Sequence, residues 1–251
     1  MKKKKVLVSG CNGHMGQIVC RLIDQSQNFT VLYGFDKSAW EFSGFFPCVN
    51  LEDIDEEQLP DIIIDFSAPE ATMQLLEFAK KFNIPIVIAT TGFSEEENKK
   101  IIEAADAIPV FKSANMSFEV CLLKNVLQLI ASKLSESDIE ILETHHNRKK
   151  DAPSGTALLL ANAIKDSFAD GEKNIIYGRE DKREKDEIGI SSLRGGNVVG
   201  EHSIFFYGKY ETLEIKHSAL SRDLFAEGAI KAAEFLVNQT EPGLYTMDDL
   251  V

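Results

Sequence analysis

The sequence predicts an α/β protein in which a doubly wound parallel sheet carries an inserted α+β domain. Over the first half of the chain, short β-branched runs alternate with longer amphipathic segments, which is the pattern of successive βα units. A glycine-rich turn follows the first of these runs. The second half contains longer strand segments, which are typical of a mixed or antiparallel sheet. The 251 residues, 44% of them hydrophobic, suit one large or two small domains.

The elements of the first half follow one another in a regular order. Five strands are predicted, at Val6–Ser9, Thr30–Phe35, Asp61–Phe66, Pro85–Ala89 and Pro109–Lys112. Three helices lie between them, at Met15–Gln25, Pro69–Phe82 and Ser94–Ala105. Pro69 suits a first helical turn, and Ser94 followed three residues later by Glu97 predicts a capping box. Residues 37–60 do not follow this alternation of strands and helices and are interpreted as a variable insertion.

The second half is predicted to hold a different set of elements. They are a helix at 117–134, a strand at Ile139–Glu143, a helix at Ala157–Phe168, strands at Ile188–Leu193 and Glu201–His217, and a last helix at Leu224–Leu236. The segment Gly171–Lys185 is interpreted as a polar loop. The predicted domains are residues 1–116 together with 223–251, and residues 117–222.

Composition excludes several classes of protein. The net charge is −13 and the isoelectric point is near 4.9, so nucleic acids and anionic membranes are not expected partners. No apolar run approaches the roughly 18 residues of a membrane span, and the apolar run after the first lysines is too short for a signal peptide. We therefore expect a cytoplasmic protein. The four cysteines show neither CxxC pairs nor zinc-ligand spacing, so neither a metal site nor a disulfide is predicted.

The turn after the first strand has the chemistry of a dinucleotide site. Gly10, Gly13 and Gly16 follow a G-x-x-G-x-x-G spacing between the first strand and the first helix, where glycine lets the backbone approach a pyrophosphate. Asp36 stands 20 residues after Gly16, at the end of the second strand, where a carboxylate can bind the adenine ribose. These features predict a Rossmann-like domain. Asp36 favours NADH, whereas the adjacent Lys37 could attract the phosphate of NADPH, so the choice of cofactor stays open at this point.

Two further strand ends consist of small residues. Ala89-Thr90-Thr91-Gly92 and Ser113-Ala114-Asn115-Met116 each follow a predicted strand. The carboxyl ends of parallel strands form the ligand-binding edge of a doubly wound sheet. We therefore expect these segments to lie beside the nicotinamide half of the cofactor.

A polar cluster follows the strand that ends at Glu143. The segment His145-His146-Asn147-Arg148-Lys149-Lys150 holds five side chains that can be cationic, and Pro153-Ser154-Gly155-Thr156 opens the next helix. Cations facing a helix N-terminus suit the carboxylates of a small acid. Histidine can deliver a proton near neutral pH while hydride adds to a conjugated imine. On a strand, His145 and His146 would point to opposite faces, so one of them alone could be catalytic.

At this point the sequence closely resembles the dihydrodipicolinate reductase family over nearly the whole chain. The matching blocks are the glycine turn, Asp65-Phe66-Ser67, Thr90-Thr91-Gly92-Phe93, Ser113–Ser117, His145–Thr156, Arg194-Gly195-Gly196, Val199–His202, His217–Arg222 and Phe225–Ala229. The resemblance implies NAD(P)H-dependent reduction of 4-hydroxy-tetrahydrodipicolinate, by way of dihydrodipicolinate, in the diaminopimelate route to lysine. It also implies a homotetramer that assembles through the sheet of residues 117–222, the substrate-binding domain.

The same resemblance implies roles for individual residues. His145 would be the catalytic acid or base and Lys149 a proton donor, with His146, Ser154, Gly155 and Thr156 around the substrate carboxylates. The cofactor would be bound by Gly10, Cys11, Asn12, Gly13, His14, Met15, Asp36, Lys37, Ala89, Thr90, Thr91, Ser113, Ala114, Asn115 and Met116. The family often has arginine at the position of His14, which weakens the case for NADPH, and a basic residue at that of Asn147. His202 and His217 are interpreted as structural.

Two other functions are compatible with parts of the sequence. A dehydrogenase acting on another small dicarboxylate would share the cofactor domain but would not explain the segment from His145 to Thr156. A non-catalytic protein that senses nicotinamide dinucleotides would need the glycine turn but no proton donor.

Overall fold

The elements of the protein are seen in a computed structural model that describes residues 2–38, 44–168 and 173–251. Its strands are β1 Lys4–Ser9, β2 Phe29–Phe35, β3 Phe46–Cys48, β4 Ile62–Asp65, β5 Ile86–Ile88, β6 Pro109–Lys112, β7 Asp138–His145, β8 Asn174–Tyr177, β9 Glu187–Arg194, β10 Gly200–Tyr207, β11 Thr212–Ala219 and β12 Gly243–Tyr245. Its α-helices are α1 His14–Gln25, α2 Pro69–Phe82, α3 Glu95–Ala105, α4 Phe118–Lys133, α5 Gly155–Lys165 and α6 Asp223–Leu236. These elements form two compact units, one of Met1–Phe118 with Asp223–Val251 and one of Glu119–Arg222.

The first unit is built on a seven-stranded parallel sheet. Its strand order is β12-β6-β5-β4-β1-β2-β3, so the chain steps outward from β1 in both directions and the order reverses beside β1. Because crossover connections between parallel strands are right-handed, this reversal sends α1 to one face and α2 and α3 to the other. The central strands are apolar and buried throughout, as in the run Ile62–Ile64, which a sheet covered on both faces requires. The predicted doubly wound, Rossmann-like fold is confirmed.

The second unit is built on a mixed sheet of five strands. Its order is β11-β10-β7-β9-β8, with β7, β8 and β9 parallel and β10 antiparallel to its two neighbours. Leu127 of α4 and Leu160 of α5 pack against Ile141, Ile190 and Ile204. One face of the sheet is therefore covered by helices, and alternate residues of each strand point to the other face.

Several predicted helix ends are confirmed in detail. Pro69 occupies the first turn of α2. The hydroxyl of Ser94 accepts from the backbone N–H of Glu97, while the Glu97 carboxylate accepts from the backbone N–H of Ser94 at 2.7 Å. This capping box satisfies donors at the start of α3 that have no partner within the helix.

The structure also corrects the predicted elements. The single strand predicted at Glu201–His217 is wrong, because a turn in which Gly208 N donates to Glu211 O separates β10 from β11. Residues 37–60 are not wholly an insertion, since β3 joins the parallel sheet beside β2; residues 39–43 lie outside the described residues. The polar segment predicted as a loop at 171–185 contains β8, and β12 was not predicted. These strands are three or four residues long, too short for an alternating pattern. None of the helices in the described ranges is long and apolar enough to cross a membrane.

Candidate active site

The glycine turn between β1 and α1 is held by close backbone contacts. Gly10 has a φ of +73°, and a Cβ atom there would collide with the carbonyl group of Phe66 at the end of β4. A Cβ atom at Gly16 would collide with the carbonyl oxygen of Gly10. Glycine is therefore needed at both positions, and the start of α1 lies directly against the ends of β1 and β4.

A cleft of about 820 Å³ opens at this turn, at the carboxyl ends of β1, β2 and β4. Five of the predicted cofactor residues line it, namely Gly10, Asn12, Gly13, Asp36 and Lys37. The carboxylate of Asp36 accepts from the backbone N–H groups of Asn12 and Lys37, at 3.1 and 2.9 Å. An exposed helix start, a glycine turn and an acid at the end of β2 together fit the pyrophosphate and ribose of a dinucleotide.

The other predicted residues of the glycine turn lie outside the lining of that cleft. Cys11 is buried, and burial raises the pKa of its thiol to about 11. It is thus a packed thiol rather than a nucleophile. His14 is exposed and Met15 is half-buried, both in the first turn of α1.

The strand ends predicted to meet the nicotinamide are organised by one buried carboxylate. Asp65, at the end of β4, accepts from the hydroxyls of Ser67, Thr72 and Thr90, at 2.5, 2.6 and 3.0 Å. Burial raises the pKa of Asp65 against the lowering effect of these hydrogen bonds. The Thr90 hydroxyl also accepts from Ser67 N at 2.9 Å. Asp65 therefore ties the end of β5 to the end of β4.

The remaining residues of these strand ends differ in exposure. Thr91 and Ala114 are exposed, Ala89, Ser113 and Asn115 are half-buried, and Met116 is buried. Ser113 stabilises its own turn by donating to Asn115 O at 2.7 Å. All of these residues stand at the carboxyl edge of the sheet, after β5 and β6, and none of them lines the cleft at the glycine turn.

In the second unit, His145 is the last residue of β7 and is 8% exposed. Its Nδ1 lies 2.5 Å from Oε2 of Glu143, which is fully buried two residues earlier on the same face of the strand. His146 follows the strand and is half-buried. Burial lowers the pKa of His146, and the neighbouring Arg148 and Arg222 charges lower it further.

Neighbouring strands bring two more side chains to Glu143 and His145. Arg194, opposite His145 on β9, donates from Nη1 and Nη2 to the two carboxylate oxygens of Glu143, at 2.9 and 2.7 Å. His202 on β10 lies opposite both Glu143 and His217, and its ring centroid is 5.3 Å from that of His145. Burial and the neighbouring His145 lower the pKa of His202 to about 4. His202 therefore lies beside the proposed site, and its structural role stays a prediction.

The start of α5 adjoins this group. Ser154 is the N-cap, and its hydroxyl accepts from Ala157 N at 3.2 Å and lies 3.1 Å from Nε2 of His202. Gly155 is exposed and Thr156 half-buried in the first helical turn. In the preceding loop, Lys149 forms an ion pair with Asp151 at 2.8 Å. The structure therefore places a histidine, a lysine and a helix start at one end of the second sheet.

Sequence reasoning missed Glu143 and Arg194 as site residues and did not place His202 beside them. The two-residue spacing of Glu143 and His145 puts both side chains on one face of a strand. This signal was not used because the strand was predicted to end at Glu143, whereas β7 continues to His145. Arg194 and His202 stand in blocks that resemble the family, but their spacing does not predict that they meet His145, since strand register alone brings them there. Within the described ranges, no group of three or more His, Cys, Asp or Glu side chains could hold a metal ion.

Comparison with known proteins agrees with this geometry. Residues 4–116 match the family model described as dihydrodipicolinate reductase, N-terminus, and residues 119–251 match the one described as dihydrodipicolinate reductase, C-terminus. The chain is 47% identical to the 4-hydroxy-tetrahydrodipicolinate reductase of Caldanaerobacter subterraneus subsp. tengcongensis and 45% identical to that of Clostridium novyi, in each case over 98% of both chains.

A solved structure has the same fold. The dipicolinate-bound dihydrodipicolinate reductase of Paenisporosarcina sp. TG-14 superimposes with a TM-score of 0.81 at 23% identity, and the match covers 100% of both chains. The two family models and the curated relatives place both units of the chain in one family. The chain belongs to the dihydrodipicolinate reductase family and is a nicotinamide-dependent reductase.

Proposed function

We propose that this enzyme reduces 4-hydroxy-tetrahydrodipicolinate to tetrahydrodipicolinate in the diaminopimelate route to lysine. The reaction consumes NAD(P)H and one proton and releases NAD(P)⁺ and water. The observation that carries the proposal is the grouping of His145, Lys149 and the start of α5 at one end of the second sheet. A proton donor beside cationic carboxylate-binding groups is what a dicarboxylate imine requires.

His145 and Lys149 are proposed as the catalytic residues. The bound cofactor supplies hydride. His145 delivers the proton, and the Lys149 ammonium binds a substrate carboxylate and assists proton delivery. In the structure the lysine is paired with Asp151, so an arriving carboxylate replaces one anion by another. His146, Ser154, Gly155 and Thr156 are proposed to surround the substrate carboxylates, with backbone N–H groups at the start of α5 as anion donors.

The first unit is proposed to bind the cofactor, and NADH is proposed to serve at least as well as NADPH as the hydride donor. Asp36, which lines the cleft after the end of β2, is proposed to accept from the ribose hydroxyls, and its charge would repel the 2′-phosphate of NADPH. Lys37 beside it is exposed and can offset part of that repulsion. The predicted contacts after β5 and β6, from Ala89 to Thr91 and from Ser113 to Met116, are proposed to lie beside the nicotinamide.

Assembly and location form the last part of the proposal. We propose a homotetramer that associates through the sheet of the second unit, whose side chains Leu193 and Tyr207 are 52% and 42% exposed. We also propose a cytoplasmic location, which a biosynthetic role supports. Light scattering of the purified protein would measure the mass of the assembly directly, and a monomeric mass near 27.9 kDa would contradict the tetramer.

A turnover assay tests the proposed reaction. The substrate is generated enzymatically, and oxidation of NADH and of NADPH is followed in parallel. We expect substrate-dependent oxidation of both cofactors. Cofactor binding without oxidation would instead indicate a sensing protein, and oxidation with a different small acid alone would indicate another dehydrogenase.

A further inference from the structure

We propose that Glu143 is a positioning residue of this reaction, which fixes the tautomer of His145 and links that histidine to the substrate-binding turn at the start of α5. The inference rests on the proposed function, in which His145 delivers the proton. Glu143 itself is fully buried behind the histidine, so it acts through His145 and not on the substrate.

The contact between the two side chains decides which ring nitrogen can exchange a proton. Oε2 of Glu143 lies 2.5 Å from Nδ1 of His145. An ionised carboxylate can only accept, so Nδ1 carries the hydrogen and Nε2 is left for the substrate. Gly200 lies beside that nitrogen, because a Cβ atom there would stand 3.0 Å from Nε2. The absence of a side chain at Gly200 keeps this side of the ring uncrowded.

Arg194 keeps the carboxylate in its accepting form. Its guanidinium binds both oxygens of Glu143, at 2.9 and 2.7 Å, which is the bidentate geometry of strong charge-assisted pairs. Burial raises the pKa of Glu143, but the hydrogen bonds from Arg194, Ser192 and His145 outweigh it and lower that pKa to about 2. The carboxylate is therefore ionised at neutral pH and accepts from Nδ1 of His145.

The same carboxylate also holds the substrate-binding turn. Oε1 of Glu143 accepts from the backbone N–H of Ser154 at 3.2 Å, and Ser154 is the N-cap of α5. One buried group thus fixes both the proton donor and the start of the helix that is proposed to bind the substrate carboxylates. A fixed distance between these two parts is what an oriented proton transfer needs.

The proton balance of the step follows from this arrangement. When the substrate accepts the hydride that a bound cofactor would supply, the Nε2–H bond of His145 breaks and its proton goes to the substrate. The neutral ring that remains keeps its hydrogen on Nδ1, facing Glu143. His145 regains its proton at Nε2 from water.

Glu143→Gln is the direct test because the amide must turn its NH₂ group toward one of the two sets of contacts. On the Oε1 side it would face two donors, Arg194 Nη2 and Ser154 N. On the Oε2 side it would face one donor, Arg194 Nη1, and it can donate to Nδ1 of His145 if the ring changes tautomer. We therefore expect His145 to switch from the Nδ1–H to the Nε2–H form. A wrong tautomer of a catalytic histidine can lower kcat by about 10⁴, and we expect a loss of at least about 10²-fold with unchanged affinity for NADH.

The measurements are the ¹⁵N ring shifts of His145 and steady-state kinetics. Glu140→Gln is the matched control, since Glu140 lies on the opposite face of β7 and binds Arg179 and Arg183 instead; its kcat should stay within about threefold at an unchanged oligomeric mass. In the His145→Gln background, Glu143→Gln should reduce kcat by less than about threefold, because the two residues act as a unit. A further loss of kcat of at least about 10²-fold on adding Glu143→Gln to His145→Gln would overturn the proposal.

The wild-type spectrum decides the question even if Glu143→Gln does not fold. A neutral His145 in the Nε2–H form would overturn the inference regardless of any variant. If wild-type protein shows no turnover of hydroxy-tetrahydrodipicolinate, the proposed function fails instead. The tautomer readout distinguishes these two failures, because it needs no substrate.

Discussion

At the scale of single residues, the two proposed catalytic groups are supported in different ways. His145 is buried and held from behind by Glu143, whereas Lys149 lies in a loop with its ammonium paired to Asp151. A rigid proton donor and a cation that exchanges one carboxylate for another suit the two roles proposed for them. Substitutions at the two positions should therefore have different effects on kinetics.

His145→Gln should lower kcat by roughly 10² to 10⁴, because a positioned proton donor contributes that much to rate. The dissociation constant for NADH should stay within about twofold, since the residue belongs to the other unit of the fold and is not proposed to bind the cofactor. Stopped-flow turnover and fluorescence titration with NADH measure the two quantities. A kcat close to that of the wild type would remove His145 from the mechanism.

Lys149→Ala and Thr156→Val should separate catalysis from binding. Loss of the lysine should raise KM and lower kcat together, because one cation is proposed to hold a carboxylate and assist proton delivery. Loss of the threonine hydroxyl should mainly raise KM, because it removes a hydrogen bond to a charged group. Such a bond contributes roughly 1.5 to 3 kcal/mol to binding. Calorimetry with pyridine-2,6-dicarboxylate in the presence of reduced cofactor should show weaker binding by both variants. If both bind this ligand as the wild type does, the carboxylates dock elsewhere.

At the scale of elements, the β1–α1 turn and the end of β2 act together. Asp36 accepts from Asn12 N in the glycine turn and lines the same cleft. The acid is therefore part of the turn's own hydrogen bonding as well as a proposed ribose ligand. Removal of the Asp36 carboxylate should therefore change the binding of NADH and of NADPH by different amounts.

Asp36→Ala should weaken NADH binding by removing ribose hydrogen bonds and should improve NADPH binding relative to NADH by removing the repulsion of its phosphate. Parallel titrations with both cofactors give the ratio of dissociation constants. Asp24→Ala is the matched control, because it removes a carboxylate at an exposed position of α1 in the same unit. It should leave the ratio of dissociation constants unchanged. If Asp36→Ala lost the same affinity for NADH and for NADPH, Asp36 would support the turn but would not bind the ribose.

At the scale of the whole molecule, buried titratable groups make stability depend on pH. The pKa of His202 falls from 6.5 to about 4 because of burial and the neighbouring His145. The folded protein thus binds this proton less readily than the unfolded chain, so the stabilising effect is present above pH 6.5 and is lost as the pH falls toward 4. The pKa of Glu143 is also lowered, from 4.5 to about 2. The folded protein therefore loses further stability as the pH falls from about 4.5 toward 2, for the same reason.

The unfolding temperature should therefore fall steadily between pH 7 and pH 4, and His202→Gln should reduce that fall. The contribution of His202 is on the order of 3 kcal/mol across this window. Scanning calorimetry at several pH values, with the substitution His14→Gln at an exposed position as control, measures the difference. An equally steep fall in His202→Gln would mean that other groups carry the acid sensitivity.

Much of this protein could be predicted from local features of its sequence. The glycine spacing, the acid that follows it, the capping box at Ser94 and the alternation of strands and helices determined the fold class of the first unit, because each depends on residues close together in the chain. The segment from His145 to Thr156 likewise holds two histidines, several cations and a predicted helix start within one stretch of sequence.

The tertiary structure decided what surrounds that segment. Strand register brings Arg194 and His202 to Glu143 and His145, and a shift of one residue would turn these side chains to the other face of the sheet. The short edge strands β3 and β12 owe their place to pairing with β2 and β6 rather than to any pattern of their own. Register and edge pairing are set by the packing of whole elements, so the local sequence determined the chemistry of the site, and the assembled sheet determined which distant residues support it.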